Sequence, residues 1–205
     1  MKNLNIFIFT FFIVCSCEVV EGPYQNEINS NGSSETVLQK ILIEDFKGHT
    51  CLICPDAATE LESIKELYPN QVIGIALHVG NTFARPLPPN SSNKYLTDFR
   101  TKWGEEIDSY FEVSSVGLPK GMINRKDEEP KSKDDWGNVV SEIINNSPLF
   151  DIEISASPFV FGDCDIEVIV KALKNVDGEY NIVIALTQDS IVDWQKNGSY
   201  DDSVY

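Results

Sequence analysis

The feature that most constrains the fold is a pair of cysteines between a buried strand and an amphipathic helix. Within 37–46, the apolar run ILI is bounded by polar residues and predicts a strand buried on both faces. Pro55 stands at an early helical position, and apolar residues follow at three- and four-residue spacing up to Tyr68, which predicts a helix. The apolar run 71–79 predicts a second buried strand. This β, α, β order predicts two parallel strands joined by a right-handed crossover.

Two more helices and another strand are predicted before residue 148. Apolar residues at helical spacing within 95–113 predict a second helix, with Gly104 as a candidate kink. The segment 115–125 has a proline entering a short strand, and a closing helix follows around Trp136. The Pro- and Asn-rich loop 80–94 is long enough to suggest a function or an embedded element.

From residue 148 the pattern changes to β. The runs FDIEISAS, CDIEVIVKAL and YNIVIALTQ predict three strands, and Asp177 with Gly178 predicts a hairpin turn between the last two. A sandwich usually needs about seven strands. We therefore expect 148–205 to be an all-β, sandwich-type region that is incomplete or shared with a partner. Cys164 is expected to be a buried small hydrophobic residue.

The first residues predict export. A lysine precedes the nine-residue apolar run Ile6–Val14, which is too short to cross a bilayer and suits a secretory signal. The following VCSC resembles the lipobox of bacterial lipoprotein precursors. That resemblance implies a signal peptide over 1–16 and lipidation of Cys17, and the Gly, Asn, Ser and Glu residues that follow without periodicity predict a flexible tether over 17–36. The alternative is an ordinary signal peptide with incidental cysteines, which also predicts export.

The charge balance excludes several partners. The chain has 32 acidic and 16 basic side chains, a formal charge of −16. Such a surface repels nucleic acid and anionic lipid headgroups. Membrane attachment is therefore expected through acyl chains on Cys17. The 42% hydrophobic content excludes wholesale disorder.

The cysteine pair carries the main chemical prediction. A cysteine at a helix start is favoured as the thiolate by the helix dipole and the free backbone amides. We expect Cys51 to be the exposed attacking sulfur and Cys54, one turn inside the helix, to be the resolving thiol. A permanent local disulfide is an alternative, as is a metal site that includes His49. The metal alternative is weak because His49 lies two residues from Cys51 and no second CxxC exists. No metal or other cofactor is predicted, and His49 is interpreted as a solvated loop residue.

The segment ILIEDFKGHTCLICP resembles the active-site segment of the thioredoxin superfamily, in which an acidic residue stands six positions before the first cysteine. Asp45 occupies that position, and the resemblance implies that it moves protons to and from the resolving cysteine. Glu44, on the opposite face of the strand, is the fallback candidate. Pro119 in VGLPKG resembles the family's cis proline, which faces the cysteine pair and shapes the peptide groove. The apolar dipeptide Leu52–Ile53 departs from the residues usual between the cysteines.

Several segments, taken in order, extend this resemblance over nearly the whole chain: IEDFKGHTCLICPDAA, IALHVG, FRTKWGEE, SVGLPKGMINR and DSIVDWQ. They are similar to the twenty-eight-kilodalton outer membrane protein family, thioredoxin-like lipoproteins of certain gram-negative bacteria. The resemblance implies an α/β thioredoxin-like domain over 37–147, a β-sandwich over 148–205, and an outer-membrane lipid anchor. Thiol-disulfide exchange on envelope proteins or with a redox partner is the expected function. The alternative is a non-catalytic surface binding or assembly protein with an inert disulfide.

Overall fold

The central sheet has three strands. A computed structural model of the chain describes residues 37–89, 93–158 and 162–198 and the backbone of 203–204. The strands are β1 (Ile41–Lys47), β2 (Val72–His78) and β3 (Lys120–Ile123). In the sheet order β2-β1-β3, β1 pairs in parallel with β2 and antiparallel with β3. The predicted strand, helix, strand succession and its parallel pairing are confirmed.

Three helices pack around this sheet: α1 (Cys54–Leu67), α2 (Lys102–Phe111) and α3 (Lys133–Ile143). Short 3₁₀ turns cover Ser114–Val116 and Lys126–Glu128. None of the described helices is long and apolar enough to cross a bilayer. The predicted signal peptide over 1–16, the tether over 17–36 and the lipidation of Cys17 lie outside the described residues.

The second helix begins later than its apolar spacing predicts. Thr101 is extended, and its side chain accepts a hydrogen bond from the backbone N–H of Gly104 at 3.0 Å. This N-cap satisfies a backbone donor that would otherwise lack a partner in the first turn. Gly104 therefore lies in the capped first turn of α2 rather than at a kink, and the apolar residues before Thr101 belong to a loop.

The two faces of the sheet bury separate hydrophobic clusters. One cluster joins the sheet to α1 and α3, and its members are Ile41, Ile43, Ala57, Leu61, Ile64, Val72, Ile123, Trp136, Val140 and Ile144. The other cluster lies on the α2 side and contains Phe46, Leu77, Val79, Ile107, Val113 and Met122. Side chains alternate along β1, so Ile43 faces α1 and Phe46 faces α2. This alternation decides which acidic residue of β1 faces the cysteine pair.

The β region differs from its prediction. Strands β4 (Phe150–Ala156) and β5 (Ile166–Ala172) form an antiparallel hairpin, and β6 (Trp194–Gln195) pairs with β7 (Ser203–Val204). The run YNIVIALTQ forms no strand, so the hairpin predicted at Asp177 and Gly178 is wrong. A strand there needs an apolar layer to cover it, yet its large apolar residues, Ile182, Val183, Ile184 and Leu186, are each more than half exposed. The sandwich remains a prediction.

Cys164 is also placed differently. It is a free cysteine of intermediate burial just before β5, with its Sγ 3.2 Å from the carbonyl oxygen of Ser157. The expectation of a buried residue is wrong because the hairpin next to Cys164 is largely exposed.

Candidate functional site

The cysteine pair lies where β1 passes into α1. Cys51 and Cys54 are joined by a disulfide, with their Cα atoms 5.5 Å apart. The helix begins at Cys54, with Ile53 as its N-cap and Pro55 in its first turn, so Cys54 is the first helical residue rather than one turn inside. Pro55 fits this position because its missing N–H would have no partner in the first turn. Cys51 therefore lies in the turn before the helix, still at its positive end.

Both cysteines are buried. Cys51 is 1% exposed and Cys54 0% exposed, whereas Leu52 and Ile53 between them are each more than half exposed. The prediction of an exposed attacking sulfur is therefore wrong for the disulfide form. A distant segment of the chain also binds the backbone of the loop that carries Cys51.

Pro119 lies beside the disulfide. The Leu118–Pro119 peptide bond is cis, and the Sγ of Cys51 is 3.9 Å from the carbonyl oxygen of Leu118. Strand β3 begins one residue later, and Lys120 pairs with Phe46 near the end of β1. The antiparallel pairing of β3 with β1 thus brings this proline to the end of the sheet where the cysteine loop begins.

Asp45 is buried on the face of β1 that packs against α1. It is 1% exposed, and it lies two residues after Ile43 and so on the same face of the strand, where Ile43 belongs to the cluster shared with α1. Burial raises the pKa of Asp45, and the nearby charge of Lys47, whose Nζ donates to Oδ2 at 3.1 Å, only partly opposes this. Oδ1 has no hydrogen-bond partner among the described residues. Asp45 is therefore a buried carboxyl group that binds a proton more readily than an exposed aspartate does, and it lies on the same face of β1 as the helix that begins at Cys54.

Glu44 is held on the opposite face. It is fully buried, and its Oε1 and Oε2 accept hydrogen bonds at 2.7 and 2.8 Å from the guanidinium of Arg125. Such a bidentate pair is directional and charge-assisted. Both carboxylate oxygens bind Arg125 on the face of β1 that is turned away from α1. Glu44 therefore has a structural role and is not a second proton carrier at the cysteines.

His49 is buried, and its interpretation as a solvated residue is wrong. Its ring is 2% exposed and packs among three other rings, with centroids at 5.9 Å from Tyr95, 5.9 Å from Phe99 and 6.2 Å from His78. Burial lowers the pKa of His49 against the opposing charges of Asp193 and, to a lesser extent, Asp98. A neutral His49 supplies no positive charge to a thiolate at Cys51.

His78 belongs to the same ring cluster. Its ring centroid is 5.2 Å from that of Phe99. Burial, together with the charge of Lys47 and the neighbouring His49, lowers the pKa of His78 to about 4. Among the described residues, no three His, Cys, Asp or Glu side chains are grouped to hold a metal ion. The ring cluster is thus a neutral packing unit beneath the cysteine loop at pH 7.

The loop before Cys51 is supported by the long segment 80–94. The backbone N–H and the hydroxyl of Thr50 both donate to the carbonyl oxygen of Phe83, at 3.0 and 2.9 Å. Gly48 lies so close to Phe83 that an added Cβ would be 2.3 Å from its carbonyl carbon. The length of this loop suggested a function or an embedded element, but it did not predict that the loop would hold the backbone next to the disulfide.

A second support was not predicted from the sequence. Residues 193–198, here called the strap, lie against the cysteine loop. The Nε2 of Gln195 donates to the carbonyl oxygen of Cys51 at 3.0 Å, across a sequence separation of 144 residues. The strap has no periodicity and no charge run, so its sequence does not reveal this contact with the cysteine loop.

The described residues define an α/β protein with a CxxC disulfide at the amino end of its first helix. No family model matches the sequence, and no curated protein matches it. A crystal structure of a structural-genomics target from Agrobacterium tumefaciens is similar to 64% of this chain, with 15% identity and a TM-score of 0.41. The chain spans 57% of that protein's length. This similarity assigns no activity to the chain.

Proposed function

We propose that the protein is a thioredoxin-like thiol-disulfide exchange protein of the cell envelope. The observation that carries this proposal is one juxtaposition: the Cys51–Cys54 disulfide lies at the positive end of α1, with the cis peptide before Pro119 beside it. Asp45, whose pKa is raised by burial, faces the same helix. These are the groups that the exchange chemistry requires.

The reaction needs only the two sulfurs and a proton carrier. In the reduced protein, the Cys51 thiolate attacks one sulfur of a substrate disulfide, and the other substrate sulfur leaves as a thiolate. The Cys54 thiolate then attacks the Cys51 sulfur, which breaks the mixed disulfide and releases the second substrate sulfur. Two electrons pass from the protein pair to the substrate, and the Cys51–Cys54 disulfide forms. The reverse sequence oxidises a substrate dithiol.

Each neighbouring group has a defined part in these steps. The amino end of α1 stabilises the Cys51 thiolate. Asp45 takes the proton from Cys54 as that thiol becomes the nucleophile, which suits a buried carboxyl with a raised pKa. The carbonyl group of Leu118 lies 3.9 Å from the Cys51 sulfur, and in this proposal it accepts a hydrogen bond from the substrate backbone.

The location is proposed from the sequence. The resemblance to the twenty-eight-kilodalton outer membrane protein family supports a lipid anchor on Cys17 in the outer membrane. Substrates are then envelope proteins or a redox partner. The formal charge of −16 speaks against nucleic acid as a partner.

A second function is favoured by one observation. Both cysteines are almost fully buried, as in a permanent disulfide that stabilises a surface binding or assembly protein. In that case the β region carries the binding, and the cysteine pair does not exchange. The two functions differ in whether the disulfide is at equilibrium with thiols outside the protein.

The reduction potential of the pair tests the proposal. The protein is equilibrated in glutathione buffers of known potential, and free thiols are alkylated. Trypsin releases peptide 48–65, which contains Cys51 and Cys54 and no other cysteine, and its mass gives the oxidised fraction. We expect a potential above about −300 mV, because structural disulfides of secreted proteins usually lie below that value. A pair that stays oxidised down to more negative potentials contradicts the proposal and supports the inert disulfide.

A further inference from the structure

We infer that the strap is an autoinhibitory cover of the Cys51–Cys54 disulfide, and that an extended polypeptide is the substrate class that displaces it. The inference rests on the proposed exchange function for its physiological meaning. Its physical content is that the strap controls access to the disulfide.

The strap binds the backbone of the cysteine loop at four carbonyl groups. The Nε2 of Gln195 donates to Cys51 and Gly48, at 3.0 and 3.3 Å. Two strap amides add to this: the N–H of Lys196 donates to His49 at 2.9 Å, and that of Gly198 donates to Leu52 at 2.8 Å. The strap therefore occupies most of the hydrogen-bonding acceptors that this loop could offer to another chain.

The other side of the strap is held by the loop around residue 95. The hydroxyl of Thr97 donates to Oδ2 of Asp193 at 2.5 Å. The Nζ of Lys94 lies 4.0 Å from the ring centroid of Trp194, a distance at which a cation and an aromatic face attract. The strap thus bridges two loops, and the nearly complete burial of Cys51 coincides with this bridge.

The strap is fixed by polar contacts rather than by a hydrophobic core. Ile191 and Val192 just before it are exposed, and its own residues 193–197 are only half-buried. Segments held in this way open locally at a much lower free energy than the core does. Displacement of the strap therefore does not require the sheet or α1 to unfold.

The chemistry of the covered surface indicates what replaces the strap. A row of backbone carbonyls is matched by backbone N–H groups of an extended chain, the recognition mode in which a peptide adds alongside a strand or loop. The strap uses this mode itself through the amides of Lys196 and Gly198. A folded surface without a free extended segment cannot present such donors.

The test measures access and strap contacts together in the full chain. Gln195→Ala removes the side-chain donor to Gly48 and Cys51, and Thr97→Val removes the second anchor from a different loop. Gln39→Ala is the matched control, because among the described residues the side-chain amide of the exposed Gln39 donates to its neighbour Lys40 and not to the cysteine loop. Hydrogen–deuterium exchange measures how strongly the backbone amides of Lys196 and Gly198 are protected. The rate of disulfide reduction by dithiothreitol, whose two thiols become a cyclic disulfide, is read on peptide 48–65.

We expect Gln195→Ala to raise the reduction rate at least about fivefold and to lower the protection of both amides by a similar factor, because each lost hydrogen bond shifts an opening equilibrium by about that much. Thr97→Val should act in the same direction, and Gln39→Ala should change neither quantity. Loss of amide protection with an unchanged reduction rate overturns the inference, as does unchanged protection in both strap variants. Faster reduction in a protein that never forms a mixed disulfide with a protein substrate upholds the cover and contradicts the proposed function.

Discussion

Asp45→Asn is expected to slow thiol-disulfide exchange by about 100-fold, the lower end of what a positioned proton carrier contributes. The variant keeps the size of the side chain and loses its capacity to accept a proton from Cys54. Turnover is measured as the reduction of insulin disulfides with dithiothreitol as the electron source. Asp56→Asn is the matched control, because Asp56 lies in the first turn of the same helix but is exposed, and its exchange rate should stay near that of the wild type.

The same substitution is expected to stabilise the protein at pH 7. Burial raises the pKa of Asp45 in the folded state above its value in the unfolded chain, so the folded state binds more protons between those two values. Stability is then lost as pH rises through the folded pKa, and asparagine removes this loss. Urea unfolding at pH 7 and at pH 4 should show a gain for Asp45→Asn that is larger at pH 7. A loss of stability at pH 7, or an unchanged exchange rate, would rule out Asp45 as the buried proton carrier.

Arg125→Met is expected to lower the free energy of unfolding by about 3 kcal/mol, since breaking a buried ion pair leaves one charge without compensation. Glu44 is 0% exposed and its partner Arg125 32% exposed, so the figure is at the lower end for such pairs. Urea unfolding measures the change. Arg100→Met is the control, because its partner Asp98 is 45% exposed and pairs of that kind contribute at most about 1 kcal/mol.

The double variant Glu44→Leu with Arg125→Met should recover most of that stability, because a neutral pair of similar volume has no buried charge to compensate. Equal losses in Arg125→Met and Arg100→Met would contradict the assignment of Glu44 and Arg125 as a buried structural pair. Exchange activity of the double variant should match that of the wild type, since Glu44 lies on the face of β1 away from α1.

The parts of the fold that could be predicted depend on local patterns. The apolar runs that became β1 and β2 are short and continuous, and Pro55 marks the first turn of α1, so element type and parallel pairing followed from nearby residues. The late start of α2 depends on one N-cap at Thr101, which the apolar spacing around it conceals. The run 180–188 has strand composition, but strand formation requires a covering layer that the described residues do not supply.

In the candidate site, too, local sequence patterns predicted some features and missed those that depend on distant contacts. Cys51, Cys54 and Asp45 lie within one short stretch and could be singled out from the sequence. The burial of these regions could not, because the His49 ring packs against Tyr95 and Phe99, and the backbone of Cys51 binds Gln195 of the strap. Contacts between segments 46 to 144 residues apart leave no periodicity in either segment. Solvent access to a reactive group is therefore the property that the local pattern predicted least well.

The most direct test of the central claim is to trap the exchange intermediate. In Cys54→Ser, the Cys51 thiolate can attack a substrate disulfide but cannot be released by its partner, so a mixed disulfide should accumulate. Reduced Cys54→Ser is mixed with insulin, quenched with acid and digested, and mass spectrometry locates the adduct. We predict an adduct on Cys51, and much less on Cys54 when Cys51→Ser is treated in the same way. No adduct on Cys51, or equal labelling of the two cysteines, would contradict the claim that Cys51 is the attacking sulfur of an exchange protein.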